Sequence, residues 1–494
     1  MNGFMNKTAN KVAVALIVFS TGSISSIWAQ TTPRQLNSDS YIQSLDQRVQ
    51  SRTNTKALYL NDVIEQGLRK NYDQEVRKYD KEILELSWKD SWEDFWLPKV
   101  SLSLMTSDQK LGTLIKGSNN TNPRSKRPDG TLSLDFGDYT VFNWGKDYLQ
   151  YLNTKADYKR GKESLREESR DLKHNLIISY FKLYYLKEAE RIKRDQLRHA
   201  SFIYRLNREK ISLKKITKQD YYLARAEYLR AQNEYHEAKN NVQIQNESVA
   251  LLINDEVGTK YILRDRLKYE VLNTSLEEAI RLSRKNNPDA LDAQKNVQNA
   301  KRSYELALKE NLPLPKISVK LGAYDYRFNS STNRTNYSTG TGNSNVDLVA
   351  SINATWSLTG SGGLFNDRKT RTSFLSKHIA FTKKAQIHRS VDALIKTTYF
   401  TVNHLQNQIN ILDARIPTLQ KTFDTILENY MNKKARYIDF KNTLIELTET
   451  ETLLESNRFL HLLNKVELAR LIGLEDFPGE NFENLIIKVK GKAK

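Results

Sequence analysis

Four stretches of this chain alternate apolar and polar residues with a period of two. Val100, Leu102 and Leu104 alternate with Lys99, Ser101 and Ser103, and Leu132, Leu134 and Phe136 with Ser133 and Asp135. Ile317, Val319 and Leu321 alternate with Ser318 and Lys320. Leu348, Ala350, Ile352, Ala354, Trp356 and Leu358 alternate with Asp347, Ser351, Asn353 and Ser357. The alternation predicts strands at about 98–107, 131–141, 315–328 and 346–358, each with one apolar face. Their lengths, about 9–13 residues, suit tilted membrane-spanning strands. A half-buried strand of a soluble sheet has the same alternation, but two features favour the membrane. The segments between paired strands, 108–130 and 329–345, are polar and long for hairpins. Aromatics also crowd the strand ends: Trp88, Trp92, Phe95 and Trp96, then Phe142 and Trp144, then Trp356 and Phe365. Amphipathic rings favour the membrane–water boundary, which makes Trp92, Trp96, Phe142, Trp144 and Trp356 candidate interface residues. Simple core aromatics are the alternative.

A second period marks the long segments. Leu172, Leu176, Ile177, Tyr180, Phe181, Leu183, Tyr184 and Leu186 follow heptad-like spacing within 146–206, which holds no proline and one glycine, Gly161. A turn at about 211–219 leads into a second helix ending near Leu252. The plan recurs at about 366–430, with a turn at about 431–438 and a helix over 439–472. Helices this long require coiled-coil packing.

The recurrence is an internal duplication. Leu60-Asn-Asp-Val-Ile64 returns as Leu276-Glu-Glu-Ala-Ile280, and Leu97-Pro-Lys-Val-Ser-Leu102 as Leu314-Pro-Lys-Ile-Ser-Val319. Asp220 and Asp439 occupy matching places. The chain therefore divides into a leader (1–29), a polar N-terminal extension (30–56) and repeat 1 (57–253). An inter-repeat linker (254–275), repeat 2 (276–473) and a basic C-terminal tail (474–494) follow.

The leader has Lys7 and Lys11 before a short apolar core, Val12 to Phe19, and ends in Ile27-Trp28-Ala29. This is the pattern of a secretory signal peptide cleaved after Ala29; the apolar core is too short to span a bilayer. Export changes the meaning of the charge. The 494 residues carry 77 Lys+Arg against 58 Asp+Glu, a net +19, which taken alone suggests an anionic partner such as nucleic acid. An exported chain never meets a genome, so nucleic acid is excluded as the partner. Cysteine is absent, which removes disulfides, thiolate-bound metals, a cysteine nucleophile and a lipidated N-terminus. Mean hydropathy of −0.64 excludes a polytopic helical membrane protein.

Four strands cannot close a barrel, since the smallest single-chain barrels have eight. An open sheet in lipid leaves unpaired backbone groups, at several kcal/mol each. If these strands span a membrane, several copies must share one barrel. Catalytic chemistry is not indicated. The seven histidines show no ligand spacing, and most are expected on helix surfaces. Thr359-Gly-Ser-Gly-Gly363 lacks the ending and context of a phosphate loop. No cofactor and no metal site is expected.

This plan resembles the TolC-like outer membrane efflux protein family over about residues 57–473. Phe142-Asn-Trp-Gly-Lys146, Asp220-Tyr-Tyr-Leu-Ala-Arg-Ala-Glu-Tyr228 and Leu468-Ala-Arg-Leu-Ile-Gly473 are similar to the family's helix entry, hairpin exit and repeat ending. The resemblance implies an α+β, mostly helical fold. Two tandem repeats would give strands to a shared, trimeric 12-stranded barrel and long helical hairpins to a periplasmic tunnel. It implies an exit duct for an inner-membrane pump, joined through a periplasmic adaptor. It places adaptor contacts at the tips, here Ile211, Ser212, Leu213, Lys214, Lys215, Asp220, Lys433 and Lys434. It places a periplasmic gate at the second tip, here Tyr430, Asp439, Asn442 and Arg436. Asn442 stands where the family has a second acid, Ala435 where it has an arginine, and both tips lack its glycine. The tips are basic, through Arg205, Arg208, Lys210, Lys214, Lys215 and Lys218 and through Lys433, Lys434 and Arg436. A soluble periplasmic coiled-coil adaptor or scaffold is the competing class; an exported binder of anionic polymers or lipids is a third.

Overall fold

A computed structural model of the chain describes residues 55–97, 99–106, 130–135, 138–312, 314–328, 348–356, 367–478 and 480–488. All fall in one unit, Thr53–Lys494; the other unit, Met1–Arg52, lies outside the described residues. The leader, both long loops, Thr359–Gly363 and Phe365 are likewise outside them.

The first repeat comprises β1 (Thr55–Leu58), α1 (Leu60–Lys70), α2 (Tyr72–Trp96), β2 (Ser101–Thr106), β3 (Gly130–Asp135), β4 (Asp138–Phe142), α3 (Lys146–Ser212) and α4 (Lys218–Ile253). Two linker strands follow, β5 (Lys260–Leu263) and β6 (Asp265–Leu267). The second repeat comprises α5 (Leu276–Asn286), α6 (Pro288–Glu310), β7 (Lys316–Phe328), β8 (Leu348–Thr355), α7 (Asp367–Met431) and α8 (Tyr437–Ile472). A short 3₁₀ turn and β9 (Ile486–Lys488) are the last described elements.

The stretch expected as one strand over 131–141 is two, β3 and β4, but both lie on β7 in one register. Leu134 pairs with Tyr324 and Asp138 with Lys320, four residues on along both strands, so nothing slips across the break. With β2 on β3 and β8 on β7, all antiparallel, the sheet is a four-strand meander. Among the described residues β2 and β8 each pair on one side only.

Below the sheet, α3 and α4 form one hairpin and α7 and α8 the other. With 67 residues, α3 is about 100 Å long. The apolar periodicity correctly marks its buried face: Leu172, Leu176, Ile177, Tyr180, Phe181 and Leu183 are all buried. They form the main core with Ile395 and Val402 of α7 and Val466 and Ile472 of α8. Pro417 sits inside α7 without ending it, although a proline forfeits one backbone hydrogen bond.

All four long helices end in the same cap. Lys214, Lys433, Asn254 and Gly473 have φ of 53°, 62°, 53° and 85°. The residue after each returns its N–H to the carbonyl five back: Lys215 to Lys210, Lys434 to Asn429, Asp255 to Ala250 and Leu474 to Ala469. These are Schellman caps, which satisfy carbonyls left over at a helix end. The two members of each pair stand 219 positions apart.

The linker and chain ends are more ordered than their sequence suggests. β1 runs parallel to β5, and β9 antiparallel to β6. The polar extension thus contributes the start of β1, and the basic tail begins as folded structure. Phe477, Phe482 and Leu485 are buried in the main core. Lys465 Nζ, 1% exposed, meets Glu480 at 2.5 Å. Such short segments show no long periodicity, so only their distant partners reveal them.

Candidate functional site

Two regions carry the functional expectations: the hairpin tips and the rim beneath the sheet. The tip turns are shorter than expected, because helix continues to Ser212 and Met431 and restarts at Lys218 and Tyr437. Lys214 and Lys433 hold the left-handed cap positions, where a residue lacking a Cβ is the easy choice. Lys214, Lys215, Lys433 and Lys434 are all exposed, as are Ser212 and Leu213, with Ile211 half-buried. Ser212 donates to the Glu209 carbonyl at 2.7 Å.

The two matching acids have one local role. Asp220 and Asp439 are each the third residue of the helix that follows the turn. The N–H of Asp220 donates to Thr217 Oγ1 at 3.1 Å, and that hydroxyl donates to Asp220 Oδ2 at 2.8 Å. In the second tip Asp439 accepts from Arg436 N–H, Nε and Nη2 at 3.3, 3.2 and 3.1 Å. These bonds hold the Asp439 carboxyl below its ordinary value. A carboxylate here caps unpaired N–H groups and meets the positive helix end. Arg436 and Asn442 are exposed, Asn442 one turn beyond Asp439.

Tyr430 is neither a surface residue nor open to a lumen within its own chain. It is 6% exposed, and its hydroxyl donates to Asn207 Oδ1 at 2.6 Å. Burial pushes its phenol upward. The Lys210 ammonium sits 4.8 Å from its ring centre, so that lysine covers a ring instead of extending into solvent. Around Tyr430, Ile203 and Ala224 of the first hairpin pack with Phe423, Tyr437 and Phe440 of the second. Tyr437 donates to the Leu223 carbonyl at 3.4 Å, and Lys441 approaches buried Glu227 at 3.9 Å. The tips of one chain are thus tied together. Sequence reasoning missed Asn207, although a polar residue in the apolar stripe Ala200–Ile203–Asn207 was a readable signal.

At the rim, Trp92, Trp96, Phe142, Trp144 and Trp356 are exposed. Trp144 donates from Nε1 to the Pro315 carbonyl at 3.1 Å. The other two aromatics of the first cluster turn inward. Trp88 stacks on Tyr158 at 5.1 Å and Phe95 on Tyr151 at 4.8 Å. They stitch α2 to α3, half-buried between the two helices. Five of the seven histidines lie at helix surfaces as expected, whereas His174 and His461 are 0% and 3% exposed. Burial lowers both, His461 to about 4. Among the described residues no cluster of three or more His, Asp or Glu is placed to hold a metal ion. No described helix is long and apolar enough to cross a membrane.

The four-stranded antiparallel meander above two long helical hairpins is a fold shared with several solved outer-membrane channels. VceC of Vibrio cholerae matches with a TM-score of 0.66 at 13% identity, covering 84% of this chain and 96% of its own. The Campylobacter jejuni CmeC outer membrane channel gives 0.67 at 16% identity, over 84% and 85%. The open state of the Neisseria gonorrhoeae MtrE outer membrane channel gives 0.66 at 14%, over 84% and 89%. No curated protein matches the chain in sequence. The sequence profile of the outer membrane efflux protein family does match, over residues 93–255. The resemblance read from the repeats is to this same family.

Proposed function

We propose that this chain is the exit duct of an export system, passing substrates outward across the outer membrane. The observation that carries the reading is the four-stranded meander, open at both edges among the described residues and set above two long helical hairpins. In lipid, each unpaired edge group costs several kcal/mol, so β2 and β8 need strands from other copies. Three copies, the number implied by the family resemblance, give 12 strands and a closed barrel. The exposed rim aromatics then lie at the lipid boundary, and the helices form a tunnel in the periplasm. The leader delivers the chain there. The duct conducts passively, with no cofactor and no chemistry of its own; an inner-membrane pump supplies the drive through an adaptor.

The tips are the proposed adaptor surface. Lys214, Lys215, Lys433 and Lys434 present positive charge beside Ile211, Ser212, Leu213 and Asp220. Association with an oppositely charged adaptor is expected to weaken with salt. The gate reading narrows to the exposed Arg436 and Asn442 and the half-buried Asp439, while Tyr430 holds the tip from inside. Purified protein in a planar bilayer is expected to give discrete conductance steps, and fractionation is expected to find heat-labile oligomers in the outer membrane. A soluble periplasmic product without conductance refutes the duct. Reversing the four tip lysines to Glu is expected to abolish export while oligomers persist; unchanged export refutes the docking surface.

A further inference from the structure

Between α2 and α3 lies a groove of about 280 Å³ with strongly positive walls. From α2 it takes Gln74, Arg77, Lys78 and Lys81, and from α3 Lys162, Leu165, Arg166 and Ser169. Each set is spaced i, i+3, i+4, i+7, which is one helix face. A hydrogen bond from Gln74 Nε2 to Ser169 Oγ at 3.0 Å lies at one end. At the other, Gly161 lets the helices approach, since a Cβ there would sit 3.0 Å from Leu84 Cδ1.

The charges are sorted. Helix α2 carries eight acids and four bases, yet three of those bases line the groove and none of the acids does. Two of the five groove bases are paired: Arg77 Nε meets Glu168 at 3.3 Å, and Arg166 Nη1 meets Glu163 at 3.1 Å. Lys78, Lys81 and Lys162 are exposed and have no ion pair among the described residues. Arg77 with Lys81, and Lys162 with Arg166, are like charges four apart on a helix, which is destabilising. The fold by itself does not reward this arrangement.

The second repeat shows that the fold does not require it either. Asn71 and Asn287, 216 apart, cap their helices and donate to the carbonyls of Leu252 and Leu471, 219 apart. Trp88 and Tyr304, also 216 apart, each set a ring against the following long helix. In that register the four α2 positions become Ala290, Ala293, Gln294 and Val297 of α6. The three apolar ones are between 3% and 5% exposed. The four α3 positions become Phe381, Lys384, Ala385 and His388 of α7. Eight positions that hold five bases in the first repeat hold one in the second.

We propose that the groove binds a soluble ligand bearing a diphosphate group. Lys78, Lys81 and Lys162 supply the counter-charge, and the guanidinium of Arg166 adds a planar fork for phosphate oxygens. Ser169 accepts from Gln74, so its own proton is left to donate. Two other sources of negative charge do not fit. Residues 30–54 hold three arginines and two aspartates, net +1. Lys81 lies 15 residues before Trp96, about 22 Å along the helix, out of reach of a lipid headgroup held at the rim. The site needs only α2 and α3 of one chain, so it stands or falls separately from the duct.

Pyrophosphate is the probe, titrated by calorimetry into purified full-length protein at low salt and neutral pH. Saturable binding at one site per chain is expected, weakened by added salt and about tenfold weaker with sulfate, which offers fewer charged oxygens. Sulfate binding as tight as pyrophosphate overturns the diphosphate assignment. Lys78→Ala with Lys81→Ala and Lys162→Ala is expected to lose about tenfold or more in affinity, with helical circular dichroism unchanged. Lys89→Glu reverses the one α2 base outside the groove and is expected to leave affinity within about twofold. Equal loss in Lys89→Glu, or no loss in the triple variant, overturns the site. Absence of saturable binding, the result if residues 30–54 fill the groove, overturns it too. Displacement of pyrophosphate by phosphatidylglycerol in detergent micelles overturns the soluble ligand in favour of a lipid.

Discussion

Replacing Gly473 by Ala should open the junction between the end of α8 and the α5–α6 corner. Gly473 has φ of +85°, and a Cβ there would lie 2.1 Å from the Asn286 carbonyl oxygen and 2.5 Å from its carbon. The left-handed conformation costs an alanine about 1–2 kcal/mol. The clash is with backbone, not a flexible side-chain end, so the corner must move, at about 1–3 kcal/mol for overpacking. Reduced freedom in the unfolded chain offsets about 0.4–1 kcal/mol. The net is about 2–4 kcal/mol of local destabilisation. Hydrogen exchange read by mass spectrometry measures it at the amides of Gly473, Leu474 and Asn287, which are bonded to Ala469 and Ser283. At about 1.4 kcal/mol per decade, exchange should quicken about 30- to 1000-fold. The first repeat supplies the control. Asn254 holds the equivalent position with φ of 53°, and its amide reaches the carbonyl of Lys70, the counterpart of Asn286, at 3.4 Å. That corner has room for a side chain, so Asn254→Gly should change exchange less than threefold. A Gly473→Ala protein protected to within threefold of the original would refute the steric reasoning.

Two further predictions concern the tips and the buried histidine. Lys214→Gly and Lys433→Gly each relieve a left-handed lysine, worth about 1 kcal/mol after the added backbone freedom of glycine. Exchange of the Lys215 and Lys434 amides should slow about fivefold; unchanged or faster exchange would show that the lysines carry no strain. His461 is held near 4 by burial first and Lys465 second, against about 6.5 when unfolded. Between these values the unfolded chain binds the extra proton, so the contribution is complete above pH 6.5 and is lost as pH falls toward 4. The melting midpoint should drop across that window and drop less in His461→Asn; parallel profiles would exclude His461 as the cause.

The duplication, the strands and the long helices were legible in the sequence because each is a periodic signal sustained over many residues. A period of two marked the four stretches that pair in the sheet, and heptad spacing marked Leu172 to Leu183, which are buried. Proline before the first strand of each repeat and the recurrence of Asp220 as Asp439 aligned the copies. The local role of those acids follows from helix-end chemistry, which is also written in sequence.

Tertiary structure decided what depends on partners distant along the chain. Tyr430 looked like any helical tyrosine until Asn207, Lys210 and the opposite hairpin closed around it. His174 and His461 carried no ligand spacing, and their burial comes from the folded chain end and the linker. β1, β5, β6 and β9 are three or four residues each, too short for a periodic signal, and exist because they pair. The aromatic cluster of α2 divides between the contact with α3 and the exposed rim only once the helix is laid on α3. Among the described residues, the same placement leaves the stripe from Tyr72 to Leu86 exposed. Sequence marks a face as apolar, but which faces meet is fixed by long-range packing.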